Sequence, residues 1–198
     1  MIDRLVILSI AALGALIPLH AADKTFQAAA AAAYAHQESE SVTVGARPYT
    51  DQDEVATAFG KKIDFARYGV VPILIVIENK RPKALDLREL EVSLVATDGR
   101  HVKAVPPEEL PSLANLGKHP SPVGVASPIP LPKKKNPLTS AEITVRAFGA
   151  KMLPPGDSAS GFLYFEARAE SGDKLYLNGL RDARSGQELL YFEFPLAK

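Results

Sequence analysis

An uninterrupted run of apolar residues occupies positions 70–77, where valine, proline, isoleucine and leucine follow one another without a polar break. Most of these side chains branch at Cβ, which favours a strand. A strand without a polar face must be covered on both sides, so this segment is predicted to be the fully buried central strand. Pro72 has no N–H to donate to a neighbouring strand and is expected near the strand's start or at a bulge.

Shorter segments alternate between apolar and polar residues, which is typical of strands with one buried face. The first covers residues 41–47, and a second covers residues 90–94. The turn dipeptide Asp98-Gly99 then predicts a hairpin, with residues 101–105 as the returning strand.

The last sixty residues are predicted to form a β-meander, with strands at residues 142–147, 161–167, 175–177 and 189–194. Strands of this length, separated by turns at regular intervals, are typical of packed antiparallel sheets. The predicted fold class is therefore all-β, an antiparallel β-sandwich.

Two segments are expected to be helical. Thr50 is placed as the N-cap of a short accessory helix that Gly60 closes in the left-handed conformation, with acidic residues in its first turn. Residues 22–40 are rich in alanine, the best helix former, but their methyl groups would bury little area against a core. This segment is interpreted as a frayed helix or a tether, with a partner-binding helix as the alternative.

The N-terminus has the layout of a secretory signal peptide over residues 1–21. Arg4 precedes an apolar run at residues 5–19, which is shorter than a membrane span needs, and small residues follow at Ala21-Ala22. The chain is therefore expected to be exported, to a bacterial periplasm or the cell exterior. The alternative is an uncleaved N-terminal membrane anchor.

Residues 41–198 are assigned to one domain that carries a proline-rich insertion at residues 106–137, with nine of the sixteen prolines. Strand patterns resume directly after the insertion, so it is a long loop and not a domain boundary. The stretch 117–137 is basic and contains no acidic residue. Its candidate binding residues are Lys118, Lys133, Lys134 and Lys135. The alternative is a surface loop whose lysines only keep it hydrated.

Charge and composition narrow the function classes. Lys plus Arg and Asp plus Glu both number 23, so no net field attracts nucleic acid or an anionic membrane. The chain has no cysteine, which excludes disulfides and a lipid-modified cysteine. It also has no tryptophan, the commonest stacking platform of sugar sites, although six tyrosines remain.

Four stretches carry a resemblance to known proteins: residues 42–49, 58–61, 69–79 and 154–165. They look like a group of exported bacterial proteins of uncharacterised function. The resemblance covers most of residues 41–196 and implies an immunoglobulin-like β-sandwich. It supplies no catalytic residues to carry over.

Residues with catalytic potential form no recognisable motif. His36, His101 and His119 are isolated, with no metal-binding spacing, and no Gly-x-Ser-x-Gly elbow is present. Carboxylate pairs occur at residues 51/53, 89/91 and 108/109, where helix capping or solvation explains them. We therefore expect no catalytic residue, no metal and no cofactor.

Apolar side chains are in excess on two strands. At residues 189–194, Leu190, Phe192 and Phe194 are placed on one face, which leaves Leu189 and Tyr191 on the other. The strand at residues 161–167 has aromatic residues on both sides. The loop at residues 106–137 or the N-terminal alanine-rich segment is expected to cover the extra residues. If neither does, the extra residues mark a partner-binding face or an open sheet edge.

Together these observations predict a non-catalytic exported module that binds protein or assists in the cell envelope, with another envelope protein as its partner. No nucleic acid is expected, and membrane contact is expected only through an uncleaved leader. The alternatives are a secreted hydrolase whose site assembles from loops, and a membrane-tethered structural domain.

The leader is expected to be cut after Ala21. Mass spectrometry of the protein purified from its native envelope should then find a chain that begins at Ala22, because the small residues there suit a signal peptidase. A chain that still carries residues 1–21 would contradict cleavage of the leader and support the membrane anchor.

Overall fold

The computed structural model describes residues 26–114 and 136–196, and this part of the chain is mostly β-structure with a few short helices. The predicted leader at residues 1–21 and most of the proline-rich insertion lie outside the described residues. The strands are β1 Ala35–Ser39, β2 Val42–Pro48, β3 Val71–Asn79, β4 Leu85–Asp86, β5 Glu91–Val95, β6 His101–Val105, β7 Met152–Leu153, β8 Ser158–Phe165, β9 Lys174–Asn178, β10 Arg181–Asp182 and β11 Phe192–Pro195. The α-helices are α1 Gln52–Phe59, α2 Leu110–Leu113 and α3 Ala141–Val145.

Eight strands form one antiparallel sheet in the order β1-β2-β3-β8-β6-β5-β9-β11. A small sheet, in the order β10-β4-β7, lies beside it. β3 pairs with β2 from Val42↔Asn79 to Pro48↔Ile73, and with β8 from Val71↔Phe165 to Glu78↔Ser158. The apolar run therefore has a full-length neighbour on each side.

β3 is buried on both faces, which confirms the prediction for residues 70–77. Alternate side chains enter two different cores: Ile73, Ile75 and Ile77 pack in one, and Leu74 and Val76 in the other. We call these the inner core and the outer core. Pro72 is the second residue of β3, as expected from its missing N–H.

The long sheet curls around the inner core. β6 links its two halves, because it pairs with β5 at residues 101–103 and with β8 at Ala104 and Val105. At the far edges, side chains of the β1 segment bridge to the β11 segment: Gln37 Oε1 accepts a hydrogen bond from Glu193 N (2.8 Å) and Glu40 Oε1 from Leu190 N (3.0 Å). The two edge strands thus meet without pairing through their backbones.

The outer core covers the outward face of β3 and β8. It contains the buried side chains of all three helices, among them Phe59, Leu110 and Ile143. Aromatic rings fill much of it: Phe59 lies 4.6 Å from Phe162, centroid to centroid. The Tyr164 hydroxyl donates to the Ile143 carbonyl at 2.7 Å, so its polar end is satisfied where burial raises its pKa. The outward aromatics of residues 161–167 are therefore covered, as expected.

The alanine-rich segment differs from the prediction of a frayed helix or tether over residues 22–40. Within the described part, only Ala31–Ala33 makes a single 3₁₀ turn, and β1 follows at once, paired with β2 over five residues. A backbone ladder with β2 satisfies the polar groups of this segment, and this tertiary pairing overrides the high helix propensity of alanine. An ideal Cβ on Gly45 would lie 2.3 Å from the Ala31 carbonyl oxygen, so only glycine allows this close approach.

Two further predictions need correction. Helix α1 is present, but Asp51 and not Thr50 caps it, with Asp51 Oδ1 accepting from the Asp53 and Glu54 amides. Gly60 has φ 92° and ψ 151°, which is not the left-handed helical conformation. The strand predicted at residues 142–147 is instead largely helix α3, because one short turn suffices to bury Ile143 in the outer core.

The hairpin predicted from Asp98-Gly99 is confirmed, since β5 and β6 are antiparallel neighbours. The meander predicted for the last sixty residues is only partly correct. β9 and β11 do pair, but β8 lies between β3 and β6, far from β9 in the strand order. β8 offers aromatic side chains to both cores, and this position covers both of its faces.

Asn79 fixes the end of β3. Its side chain is fully buried, and Nδ2 donates to the carbonyl oxygens of Lys83, Leu153 and Pro154 at 2.9–3.0 Å. Oδ1 accepts from the Arg81 amide at 3.1 Å. One side chain thus joins β3, the turn after it and the turn before β8.

Replacing Asn79 should therefore destabilise the whole domain. We expect Asn79→Ala to lower the free energy of unfolding by about 2–4 kcal/mol, because buried carbonyl groups lose their donor. Asn79→Asp should be worse near neutral pH, since a carboxylate would face the same carbonyl oxygens. Urea unfolding of the three proteins tests this order. An aspartate variant as stable as the alanine variant would contradict the assigned role of the amide.

Candidate functional site

The two halves of the curled sheet differ in what covers their outward faces. The buried side chains of the three helices all lie in the outer core, against β3 and β8. On the other half, outward side chains of β5 and β9 such as Ser93, Tyr176 and Asn178 remain half-buried. We call this surface of β5, β6, β9 and β11 the uncovered face.

Aromatic side chains form a row across the uncovered face. The His101 ring lies 6.2 Å from the Tyr176 ring, and the Tyr176 ring lies 5.5 Å from the Tyr191 ring, centroid to centroid. Tyr191 is 54% exposed and the adjacent Leu190 is 64% exposed. We call His101, Tyr176 and Tyr191 the aromatic row. Rings of this kind give a large contact area with a polar end, which suits recognition.

Polar groups surround the row. Ser93 stands opposite Lys103 on β6 and opposite Tyr176 on β9. A hollow of about 390 Å³ lies here, with Glu91 and Asn178 also in its lining. At the β11 edge, Lys174 donates to Glu193 at 2.8 Å, and this bond raises the pKa of Lys174.

A second concavity opens where β6 leaves β5 to join β8. Most of its lining side chains are apolar, and we call it the apolar cleft; its volume is about 440 Å³. A backbone hydrogen bond from Leu87 N to the Lys151 carbonyl at 2.9 Å joins two segments of its wall. The apolar side chains of the lining are Leu87, Leu90, Val92, Ala104, Phe148, Ala150 and Leu163.

A third hollow of about 470 Å³ is polar. Arg181 spans it with ion pairs to Glu89 (2.9 Å) and Glu188 (3.5 Å). Gly179 has φ +78°, and a Cβ there would lie 2.0 Å from the Glu89 carbonyl oxygen, so glycine is required for this approach. Leu90 lines all three hollows, which makes the start of β5 the centre of the concave surface.

One histidine and one serine approach each other within this surface. Ser93 Oγ lies 3.4 Å from His101 Nδ1, a long separation for a hydroxyl–imidazole hydrogen bond. A serine nucleophile also needs a third group that orients the base. Within the described ranges, the His101 ring donates no hydrogen bond to a carboxylate that could orient it.

The candidate binding residues Lys118, Lys133, Lys134 and Lys135 lie outside the described residues, as does His119. Of the carboxylate pairs, Asp51 caps α1 and Glu89 pairs with Arg181.

Residues 26–114 and 136–196 contain no group of three or more His, Asp or Glu side chains placed to hold a metal ion. None of the helices in those ranges combines the length and apolar character needed to cross a membrane.

Part of the site follows from the sequence pattern. Tyr191 lies on the face opposite Phe192 and Phe194, as predicted, and it is exposed while these two phenylalanines are buried. The assignment of Leu189 and Leu190 was wrong: Leu189 is buried and Leu190 exposed, because β11 begins only at Phe192 and the preceding residues do not alternate as a strand. The pairing of Tyr176 with His101 could not be found, since it depends on which strands are neighbours. The apolar cleft likewise depends on the path of β6.

Comparison with known proteins adds no assignment. The chain matches no protein-family model, and no significant relative is found among curated proteins.

Proposed function

We propose that this chain is an exported, non-catalytic protein-binding module of the cell envelope, and that the uncovered face makes the contact. The aromatic row is the observation that carries the proposal. Large rings at a binding surface commonly supply most of the binding energy, with polar groups around them that exclude water. Tyr176 and Tyr191 have such surroundings in Ser93, Lys103 and Glu193.

The asymmetry of the two halves supports this assignment. On the half that contains β3, outward aromatic residues such as Phe162 are covered by the chain's own helices. The other half presents Tyr191 and Leu190 to solvent instead. A surface that keeps exposed aromatic and leucine side chains beside each other is typical of an interaction site.

The sequence supports the proposed location in the cell envelope. The leader at residues 1–21 supports export to a periplasm or the cell exterior, where the partner is another envelope protein. The fold itself is an immunoglobulin-like sandwich in this proposal. Its support is the division of the long sheet at β6 into two halves that share the inner core. The basic stretch with Lys118, Lys133, Lys134 and Lys135 remains a predicted second contact.

Removal of an exposed ring should weaken the complex. Partners cross-linked to the full-length protein in its native envelope would be captured and quantified for the wild type and for Tyr191→Ala. We expect recovery of the specific partner to fall about tenfold or more, because a central aromatic anchor contributes at least ~2 kcal/mol.

Val145→Ala is the matched control, because Val145 is 79% exposed but lies on α3, on the other half of the sheet. It should leave recovery unchanged. A triple variant with Lys133, Lys134 and Lys135 changed to alanine tests the basic stretch separately. Equal recovery from Tyr191→Ala and the wild type would reject the uncovered face as the contact.

A further inference from the structure

The apolar cleft is a lateral opening of the inner core. Leu90, Val92, Phe148, Ala150 and Leu163 line it, and each is only half-buried while packing against inner-core side chains. It opens because β6 pairs with β5 only as far as Lys103 and then joins β8 through Ala104 and Val105. Its volume of about 440 Å³ is in the range of small-molecule sites.

The lining of the apolar cleft suits an alkyl chain better than a peptide. Among the described residues that line the cleft, only Arg88 and Lys151 have polar side chains. A peptide would bring an N–H and a C=O group with every residue, and each would need a hydrogen-bond partner once buried. An alkyl chain has no such groups along its length, so it can fill the cleft without leaving buried polar groups unpaired.

The charged residues of the lining indicate that the head group of the occupant is an anion. Arg88 and Lys151 are both cationic, and no acidic side chain is part of the lining. Asp86 holds the Arg88 guanidinium through Nε at 3.0 Å, and this bond lowers the pKa of Asp86 to about 2. The charge of Arg88 is therefore partly neutralised. Within the described ranges, Lys151 has no carboxylate within 4 Å, so its ammonium group can attract an external anion.

We propose that the apolar cleft binds a long-chain fatty acid, with the alkyl chain against Leu90, Phe148 and Leu163 and the carboxylate at Lys151. This is a second activity of the chain, separate from the contact made by the aromatic row. It assigns a ligand to a cleft at the junction of β5, β6 and β8.

The test uses the purified exported protein after lipid extraction. 11-(Dansylamino)undecanoate, a fluorescent fatty acid, is titrated into it, and palmitate is then added below its aggregation concentration as competitor. We expect saturable one-to-one binding of the probe and its displacement by palmitate. The assay contains no protein partner, so its failure and the failure of the protein-binding proposal can be distinguished.

Two variants locate the site. Ala150→Phe fills the cleft and should abolish probe binding, with thermal unfolding measured to show that the variant is folded. Lys151→Met leaves the cleft open and should weaken palmitate about fivefold, the loss expected for one partly exposed charge pair. Lys62→Met, an exposed lysine that follows α1, is the matched control and should have no effect.

Two other amphiphiles test the chemistry. Hexadecyltrimethylammonium, with a cationic head, should compete much less well than palmitate, and so should a peptide of alternating leucine and glutamate. Each of three results would overturn the proposal: no saturable probe binding to the wild type, unchanged binding in a folded Ala150→Phe variant, or competition by the cationic amphiphile or the peptide that equals that of palmitate.

Discussion

β3 is buried on both of its faces, and each face belongs to a different core. Ile73, Ile75 and Ile77 pack inward, while Leu74 and Val76 pack under the helices. Burial of one such side chain contributes about 1.5–3 kcal/mol, so these five together contribute on the order of 10 kcal/mol. That is comparable to the whole net stability of a typical domain. If either core unfolds, one apolar face of β3 becomes exposed to water, so the two cores depend on each other.

This constraint explains why the two halves of the sheet look different. A central strand with two apolar faces needs a second layer on each side. The rest of the curled sheet supplies the inner layer, and α1, α2, α3 and the segment around Ala31 supply the outer one. β5, β9 and β11 have only one apolar face, as Leu175 and Leu177 on β9 illustrate. Their outward face needs no second layer of the domain, which leaves room for the aromatic row and for the contact that we propose there.

The sequence was informative where the pattern is local. The two-sided burial of residues 70–77 and the hairpin at Asp98-Gly99 follow from adjacent residues, and both are confirmed. Local patterns failed at residues 142–147, where one buried side chain, Ile143, is compatible with either a strand or a helical turn. They also failed for residues 35–39, where pairing with β2 outweighs propensity. The concave surface at Leu90 depends on strand order, so no local pattern could reveal it.

Hydrogen exchange of the backbone amides measures the role of β3 most directly. If both cores depend on this strand, the amides of Ile73 to Ile77 should exchange only when the whole domain unfolds. Their exchange free energy would then equal the free energy of unfolding from urea denaturation. Amides of β5 and β11, which border the uncovered face or the sheet edge, should exchange at lower free energy. Slower exchange in β5 or β11 than in β3 would contradict the account.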